Sequence, residues 1–337
     1  MGRRPETLHG ESPESVEKMG QGEEVKTRSD PEVEIQERGE IFFFYRPKVG
    51  KEEAHGADDV QRLYIVLRPE SGERSVEVKQ EPDSGKEGSS KGNSTSEQGN
   101  KTESQERGTE GGHGTEEVNI EQEPLLRFIV MGKKSLPNPA RQRSRPYWGF
   151  VELVTTKIDD IKIALKGEEY ETATRAHREK PPARALAEGV YRILKHKSGA
   201  RFHTHLVYKL EFPPEGNENE PQECLNVERE GSFVMQIKNP KQPSASRFSG
   251  LQNKRKAAFP AHLQAELGRK RFSAADPPDF LNYEGCEFLL IAASDDIDEE
   301  LGMDLKTDCE SDSSCSDLIS TFGEIASTSP LLKGTWV

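Results

Sequence analysis

Short runs rich in apolar residues, some of them alternating with polar ones, recur along the chain and predict β-strands. Residues 41–49 and 60–68 are dense in Phe, Tyr, Ile and Val and are joined by a short polar link, as antiparallel neighbours are. Hairpins with Gly-containing turns are predicted at residues 190–212 and 223–238. The remaining strands are predicted at residues 125–131, 147–155 and 286–293. The pattern predicts an α+β, mainly β fold, with an antiparallel sandwich or barrel-like core of about eight strands and one or two short helices.

One helix is predicted after the strand at residues 147–155. Ile161 and Leu165 fall on one face of it, and Gly167 follows its end. We expect this helix to pack on the sheet through that apolar face.

Composition divides the chain into one domain and three polar segments. Hydrophobic residues make up 32% of the chain and charged residues 32%, so much of it cannot bury enough apolar surface to offset its conformational entropy. We predict disorder at residues 1–37, a single β-rich domain at residues 38–293, and an acidic, largely disordered tail at residues 294–337. Within the domain, residues 70–118 are predicted to be a disordered insert, and residues 247–275 a basic segment.

The charges are sorted by position along the chain. Residues 125–275 carry 28 Lys and Arg against 16 Asp and Glu, a net charge of +12, whereas the segments before and after sum to −12 and −13. The total of −13 therefore hides a basic central block. Such a block is suited to binding a polyanion or the chain's own acidic ends, and salt is expected to weaken either contact.

Apolar runs in this chain are too short for a bilayer, which takes ~18 or more consecutive apolar residues to cross, and the N-terminus lacks the apolar run of a secretory signal. We therefore expect a soluble, intracellular protein with no membrane partner. Four cysteines fall at unrelated spacings, which favours reduced thiols over a disulfide framework or a zinc finger. They are Cys224, Cys286, Cys309 and Cys315.

His203 and His205 are two residues apart on a predicted strand, so both side chains point the same way and are able to bind one metal ion. Lys209 and Glu211 share that face, as on a solvated strand, and no third ligand can be assigned. The sequence also lacks the motifs of nucleophile-elbow, zinc-protease and dinucleotide-binding enzymes. We therefore favour a non-enzymatic protein without a cofactor, and a metal-dependent enzyme using these two histidines is an alternative.

Arg141, Arg143 and Arg145 lie in a Pro-rich loop beside Tyr147 and Trp148. Guanidinium and aromatic groups together are able to hold phosphates and stack on bases, so a direct nucleic-acid-binding regulator is a further alternative. We favour instead a solvated loop whose aromatic residues enter the core, because the following strand needs those rings.

Two basic triplets lie at residues 254–256 and 269–271, separated by twelve residues that include a short predicted helix. This spacing matches a bipartite nuclear import signal, in which each triplet occupies an acidic pocket of an import carrier. The sequence therefore predicts a nuclear or nucleocytoplasmic location. The residues of the signal are Lys254, Arg255, Lys256, Arg269, Lys270 and Arg271.

The polar segments contain candidate modification sites. Lys79 lies in the run V-K-Q-E, the hydrophobic-Lys-x-acidic pattern for attachment of a small ubiquitin-like modifier, and a lysine in a disordered insert is accessible. In the tail, Ser311, Ser313 and Ser314 lie among acidic residues, which suits an acid-directed kinase. Scattered apolar residues up to Trp336 are typical of a tail that folds on a partner or docks on the domain.

Residues 41–47 (IFFFYRP), 147–154 (YWGFVELV) and 202–210 (FHTHLVYKL) resemble runs in a family of uncharacterised land-plant proteins. The resemblance extends over roughly residues 38–300. Members are sometimes labelled BTB/POZ-like, but the pattern here is rich in strands and that fold is mostly helical, so the label is not carried over. The resemblance implies a plant source and brings no catalytic residues.

The leading hypothesis is a non-enzymatic binding or adaptor protein with a basic, β-rich core. Its acidic segments are expected to recruit protein partners or to shield the basic surface. An import carrier is expected among its partners, and nucleic acid is an alternative partner.

Overall fold

A computed structural model of the chain describes residues 24–72, 74–81, 114–141, 145–172, 175–198, 201–214, 219–243, 250–307 and 316–336. Its strands are β1 (Glu24–Lys26), β2 (Val33–Pro47), β3 (Val60–Glu70), β4 (Val76–Gln80), β5 (Thr115–Asn119), β6 (Leu126–Met131), β7 (Tyr147–Thr155), β8 (Glu168–Thr172), β9 (Arg175–Lys180), β10 (Arg184–Ser198), β11 (Arg201–Phe212), β12 (Glu230–Lys238), β13 (Phe272–Ala274), β14 (Glu287–Ser294) and β15 (Met303–Leu305). Its α-helices are α1 (Ile158–Leu165), α2 (Glu220–Cys224), α3 (Ala261–Leu267), α4 (Ile297–Leu301), α5 (Asp317–Phe322) and α6 (Ser329–Lys333), and short 3₁₀ helices lie at Ala57–Asp59, Asn253–Arg255 and Pro278–Asn282.

Eight strands form a closed antiparallel barrel. Their order around the ring is β11-β10-β2-β3-β6-β7-β14-β12, and pairing of β11 with β12 closes the ring, while β13 adds to the far part of β12. Each of the eight strands is thereby paired on both sides, which removes open sheet edges. The predicted mainly β, antiparallel, barrel-like core is confirmed. The described residues contain six short α-helices rather than one or two.

Strand β2 is apolar on both faces because both faces are buried. Ile41, Phe43 and Tyr45 point into the barrel and belong to its interior cluster. Phe42 and Phe44 point outward and pack in a second cluster with residues of α1, α5 and α6. Strands covered on both sides read as continuous hydrophobic runs rather than as alternating ones. The predicted helix is present as α1. Its residues Ile161 and Leu165 are buried in this second cluster, which covers the outer face of β2.

Different groups close the barrel interior near the two ends of β2. Near its C-terminal end, Trp336 packs edge-on against Tyr45, with ring centroids 5.5 Å apart. Near its N-terminal end, Arg127 donates to both carboxylate oxygens of Glu37, at 2.6 and 2.9 Å, and to the side-chain oxygen of Asn282 at 2.7 Å. The first closure is apolar and the second is polar.

The polar closure joins five elements. Glu37 also accepts a 2.7 Å hydrogen bond from the Tyr191 hydroxyl, and Asn282 donates to Glu77 at 2.9 Å. All these residues are buried, and the neighbouring Glu37 carboxylate raises the pKa of Arg127 despite its burial. The pairs tie β2, β4, β6 and β10 to the 3₁₀ helix Pro278–Asn282, so their geometry fixes the position of the β4–β5 hairpin.

Regular structure begins earlier than the sequence predicted. Residues 24–37, which were predicted to be disordered, include β1 and the first part of β2. Their charged side chains have partners elsewhere in the fold, since Glu24 pairs with Arg38 and lies 3.0 Å from the Nε atom of Arg192. Composition does not reveal such remote partners. Residues 1–23 lie outside the described residues.

The insert predicted at residues 70–118 is partly folded. Strand β3 extends to Glu70, and β4 pairs antiparallel with β5 in a hairpin whose Val118 is fully buried. The Glu77 network holds this hairpin against the barrel. Residues 82–113 lie outside the described residues.

The tail predicted at residues 294–337 packs on the barrel in its described parts. Helix α4 and strand β15 cover the outer faces of β10 and β11, where Ile297 and Leu301 contact a third apolar cluster. Helices α5 and α6 cover β2, where Leu318 and Phe322 are at most 2% exposed. A few well-spaced apolar residues are therefore enough to dock this acidic segment. Residues 308–315, which include Ser311, Ser313 and Ser314, lie outside the described residues.

The hairpin predicted at residues 223–238 is also corrected. Only its second half is a strand, β12, and residues 220–224 form α2 instead. The Asn219 side chain accepts from the Gln222 backbone N–H and caps this helix, and Pro221 lies in its first turn. The Asn219 cap and the proline in the first turn favour a helix at residues 220–224 over the weak strand pattern.

Buried carboxyl groups gather where α5 docks on the barrel. Burial raises the pKa of Glu40 to about 8, although Arg68 pairs with it. Burial also raises the pKa of Glu70 to about 7 and that of Glu188 to about 7, while Ser316 and the α5 backbone donate to Glu188. In each case the cost of burying the charged form exceeds the gain from its partners.

These shifts predict that stability rises as pH falls from about 8.5 to about 4.5, the ordinary pKa of a Glu side chain. A carboxyl group with a raised pKa holds its proton in the folded state through this range, whereas the unfolded chain binds it only near pH 4.5. Burial lowers the pKa of His205 to about 3, so below about pH 6.5 only the unfolded chain takes up that proton, and this one group offsets part of the gain from the three carboxyl groups. Thermal unfolding followed by circular dichroism across this pH range measures the net slope.

A variant isolates one contribution to that profile. Glu188→Gln should reduce the rise in stability below about pH 7, and Glu121→Gln, at an exposed position, should leave it unchanged. Equal profiles for Glu188→Gln and the unaltered protein would contradict the assignment.

Candidate anion-binding groove

Many cations of the central block are neutralised within the fold. Ion pairs join them to carboxylates from the segments before residue 125 and after residue 275, so charges that are separated along the sequence meet in space. The pairs are Arg127 with Glu37, Lys134 with Asp58, Arg192 with Glu24, Lys195 with Asp276, Lys197 with Glu32, Lys209 with Asp304 and Lys238 with Glu287. The chain's own acidic residues therefore already bind part of the basic block.

The segment at residues 250–275 keeps a cluster of cations at the surface. Lys254, Arg269, Lys270 and Arg271 are exposed and Lys256 is half-exposed. Among the residues that the structure describes, none of these five has an ion-pair partner. An anionic ligand would supply the missing charge.

Contacts on the inner side hold this basic segment in place. The Leu251 N–H donates to Glu287 at 2.9 Å, and the Ala257 N–H donates to the carbonyl of Gly285 at 3.0 Å. Leu263 and Leu267 of α3 are at most 1% exposed and belong to the interior core. The apolar residues of the segment are thus buried, and its cations are left on a fixed surface.

The second triplet is fixed by one buried side chain. The Asn239 amide donates to the backbone oxygens of Gly268 and Lys270, at 3.1 and 3.0 Å, and its backbone N–H donates to Arg271 at 2.9 Å. Since Asn239 is fully buried, it holds the turn at residues 268–271 from beneath. The three basic side chains extend from an ordered turn.

A groove of about 480 Å³ lies beside the first triplet. Its volume is within the ~300–1,000 Å³ range of ligand pockets. The outer face of β7 forms one wall, the chain around the 3₁₀ helix Asn253–Arg255 forms another, and Glu284 and Gly285 lie between them. The lining residues are Gln80, Phe150, Val151, Glu152, Leu153, Leu251, Asn253, Lys254, Arg255, Lys256, Ala258, Glu284 and Gly285.

A stack of flat side chains runs along one wall of the groove. The ring centroids of Trp148 and Phe150 are 5.1 Å apart, and the Cζ atom of Arg255 lies 5.4 Å from the Phe150 centroid. The Arg255 guanidinium also donates to Glu152 at 2.6 Å. Arg255 is therefore held by an aromatic face and a carboxylate, which leaves the neighbouring Lys254 and Lys256 for a ligand.

Gly285 allows the triplet to lie against the barrel. Its φ is +80°, and a Cβ atom there would lie 2.1 Å from the carbonyl oxygen of Arg255. Any other residue would be strained and would push the triplet outward. The geometry of the groove thus depends on a glycine that is thirty residues away in sequence.

The two triplets of the predicted import signal are not the ends of one extended segment. Helix α3 lies between them with its apolar side in the core. A carrier that binds both triplets along an extended chain would have to remove α3 from the core. The import signal stays a prediction, and the fold presents each triplet as a separate surface patch.

The cluster of Arg141, Arg143 and Arg145, in the Pro-rich loop before β7, lies only partly within the described residues. Arg141 and Arg145 are exposed, and Arg143 lies outside the described part of the chain. Trp148 is half-buried on β7, in contact with Phe150, and its indole N–H donates to Glu287 at 3.0 Å. Trp148 therefore packs on the outer face of the barrel.

The face of β11 that carries His203 and His205 is covered rather than solvated. His205 is 2% exposed, its Nε2 atom lies 3.3 Å from Nδ1 of His196, and its Nδ1 atom lies 3.0 Å from the Ser232 hydroxyl. Helix α4 covers it and places Glu300 3.7 Å away. Across the residues described, no group of three or more His, Cys, Asp or Glu side chains is placed to hold a metal ion.

Lys79 is not in a flexible segment, contrary to the prediction. It lies in β4, its side chain is 3% exposed, and it pairs with Glu116 at 2.8 Å. A conjugating enzyme could reach it only if the β4–β5 hairpin opened. The disordered-insert prediction failed here because the hairpin is stabilised by residues far away in sequence.

Two cysteines lie in the described part of the chain. Cys224 and Cys286 are unpaired thiols, the first exposed and the second buried, and burial raises the pKa of Cys286. Cys309 and Cys315 lie outside that part. Within the same residues, no helix is both long and apolar enough to span a membrane.

The chain matches no protein-family model, no curated protein and no solved structure. The barrel and the groove are therefore the basis for inferring its function.

Sequence reasoning found the cations of this groove but not its walls. Phe150, Glu152 and Leu251 were not singled out as binding residues. One signal was present in the sequence, namely two aromatic residues on the outward face of a predicted strand. Trp148 and Phe150 alternate on β7 with residues that face the barrel interior. Their rings must therefore be covered by another segment or form a partly apolar surface. The sequence did not show that residues 250–258 lie against that face.

Proposed function

We propose that the protein is a non-enzymatic binding or adaptor protein whose basic segment binds an acidic segment of a protein partner. One observation carries the proposal: after intramolecular pairing of the central block, the cations of residues 254–256 and 269–271 remain at the surface, and the first triplet borders a groove. A protein segment is favoured over nucleic acid because Phe150, Leu153 and Leu251 also line the groove, and an apolar side chain of a peptide can pack on them.

Regulation by the chain's acidic segments and nuclear residence are part of this proposal. A plant source, implied by the resemblance to the land-plant family, is also part of the proposal, and the resemblance adds no activity. The acidic residues already paired within the fold support shielding, because they show that the block accepts intramolecular carboxylates. Salt should weaken further contacts of this kind.

The partner surface is tested with charge-reversal variants of the full chain. Lys254→Glu with Lys256→Glu should remove acidic proteins that co-purify with the tagged protein at low salt, because each exposed cation contributes about 0.2–1 kcal/mol to an ion pair and its reversal adds repulsion. Lys133→Glu with Lys166→Glu makes the same charge change at exposed residues outside the groove and should retain them. Identical sets from both variants would refute the proposal, and nuclease-sensitive recovery would favour nucleic acid.

Nuclear residence is tested by imaging. Changing Arg269, Lys270 and Arg271 to Ala should reduce the nuclear fraction of the tagged protein. If the intact protein and the variant are both excluded from nuclei, the nuclear hypothesis is wrong.

A further inference from the structure

The groove beside the first triplet combines two kinds of surface that a purely electrostatic contact does not need. Lys254 and Lys256 supply positive charge, and Phe150, Leu153 and Leu251 supply an apolar floor. Leu153 and Leu251 are half-buried, so part of each is exposed to the groove. A ligand that fills the site must therefore be anionic in one part and apolar in another.

The carboxylates of the groove are already engaged. Glu152 accepts from Arg255 at 2.6 Å, and Glu284 accepts from the Val154 backbone N–H at 3.4 Å. Their charges are thus partly offset within the protein, whereas Lys254 and Lys256 have no ion-pair partner among the described residues. Charge complementarity at the open side of the groove consequently favours an anionic ligand.

We propose that this groove is the specificity site of the binding protein proposed above, and that it binds a short acidic peptide segment that carries an apolar side chain. The carboxylates of the segment pair with Lys254 and Lys256. Its apolar side chain packs on Leu153 and Leu251, beside the Phe150 ring. The inference rests on the proposed function, which requires only that the basic surface bind an acidic partner.

Fluorescence anisotropy with the full chain tests the site directly. The probes are a labelled peptide of Glu and Leu residues, the same peptide with Ser in place of Leu, and a single-stranded oligonucleotide. The Glu-Leu peptide should bind at least about tenfold more tightly than the Glu-Ser peptide, which is the change that burial of one Leu side chain brings. Raising the salt concentration should weaken both peptides.

Two variants separate the parts of the site. Leu251→Ser should reduce binding of the Glu-Leu peptide to the level of the Glu-Ser peptide, and Lys254→Glu with Lys256→Glu should weaken both peptides by about tenfold. Lys133→Glu with Lys166→Glu should change neither, and circular dichroism verifies that each variant is folded.

The possible failures are distinguishable. Equal binding of the two peptides overturns the specificity site and leaves the proposed function standing. Tighter binding of the oligonucleotide than of either peptide, or no binding of any peptide, overturns both.

Discussion

Arg127→Met should lower the free energy of unfolding by about 3–5 kcal/mol, the usual cost of removing one partner from a buried ion pair. Arg127 is fully buried and is the cation that neutralises Glu37, while Glu77 lies 3.9 Å away. Methionine is similar in length, so the variant removes charge and hydrogen bonds with little change in volume. Both carboxylates would then be buried beside each other without Arg127. Urea denaturation at neutral pH measures the loss.

A second substitution separates the charge from the packing. Glu37→Gln in the Arg127→Met background should recover part of the stability, because it removes the unpaired charge that the first change created. The single variant should also regain stability as pH falls, because burial raises the pKa of Glu77, Arg127 offsets part of that rise, and the variant removes the offset. Arg145→Met, at an exposed position, should cost no more than about 0.5 kcal/mol. An Arg127→Met protein as stable as the Arg145→Met control would show that the network contributes nothing.

The same network illustrates what the sequence predicts and what it hides. The strand that carries Arg127 was predicted because its neighbours form a short, dense apolar run. Its partner Glu37 lies 90 residues away in a segment whose composition indicates disorder. Local patterns determine where strands form, because each strand has its own periodicity. They do not identify which buried charges meet across a closed ring.

Closure of the barrel also depends on contacts between residues that are far apart in the sequence. Pairing of β10 with β11 follows from a hairpin, which a short turn specifies. Pairing of β11 with β12 depends on α2 and the chain around it returning to the first strand of the ring. The sequence therefore predicted an antiparallel sandwich or barrel, and the structure shows which of the two forms.

The candidate groove was predicted in the same partial way. Charge is visible in sequence, so the basic triplets were found. The apolar floor of the groove is not visible in the sequence, because Phe150 and Leu251 become neighbours only when the segment at residues 250–258 lies over β7. Gly285 permits that approach, and a single glycine carries no signal of its own among the 29 in this chain.

Phe322→Ala should lower the free energy of unfolding by about 3–5 kcal/mol, as removal of a buried aromatic side chain does. Phe322 of α5 is 2% exposed, and its ring lies edge-on to Phe42 and Phe44, with centroids 5.6 and 5.4 Å away. Without it, two aromatic side chains of β2 lose their cover. Thermal and urea denaturation measure the effect on the whole barrel.

The matched control lies ten residues further on. Leu332 is 56% exposed on α6, so Leu332→Ala should change stability by no more than about 0.5 kcal/mol. A tail that only adds negative charge would tolerate both substitutions equally, and that result would overturn the docking of α5. A large loss for Phe322→Ala alone means that the C-terminal segment is a structural part of the barrel's outer layer. In that case the volume of the buried Phe322 side chain, rather than the acidity of the segment, determines whether α5 stays docked on the barrel.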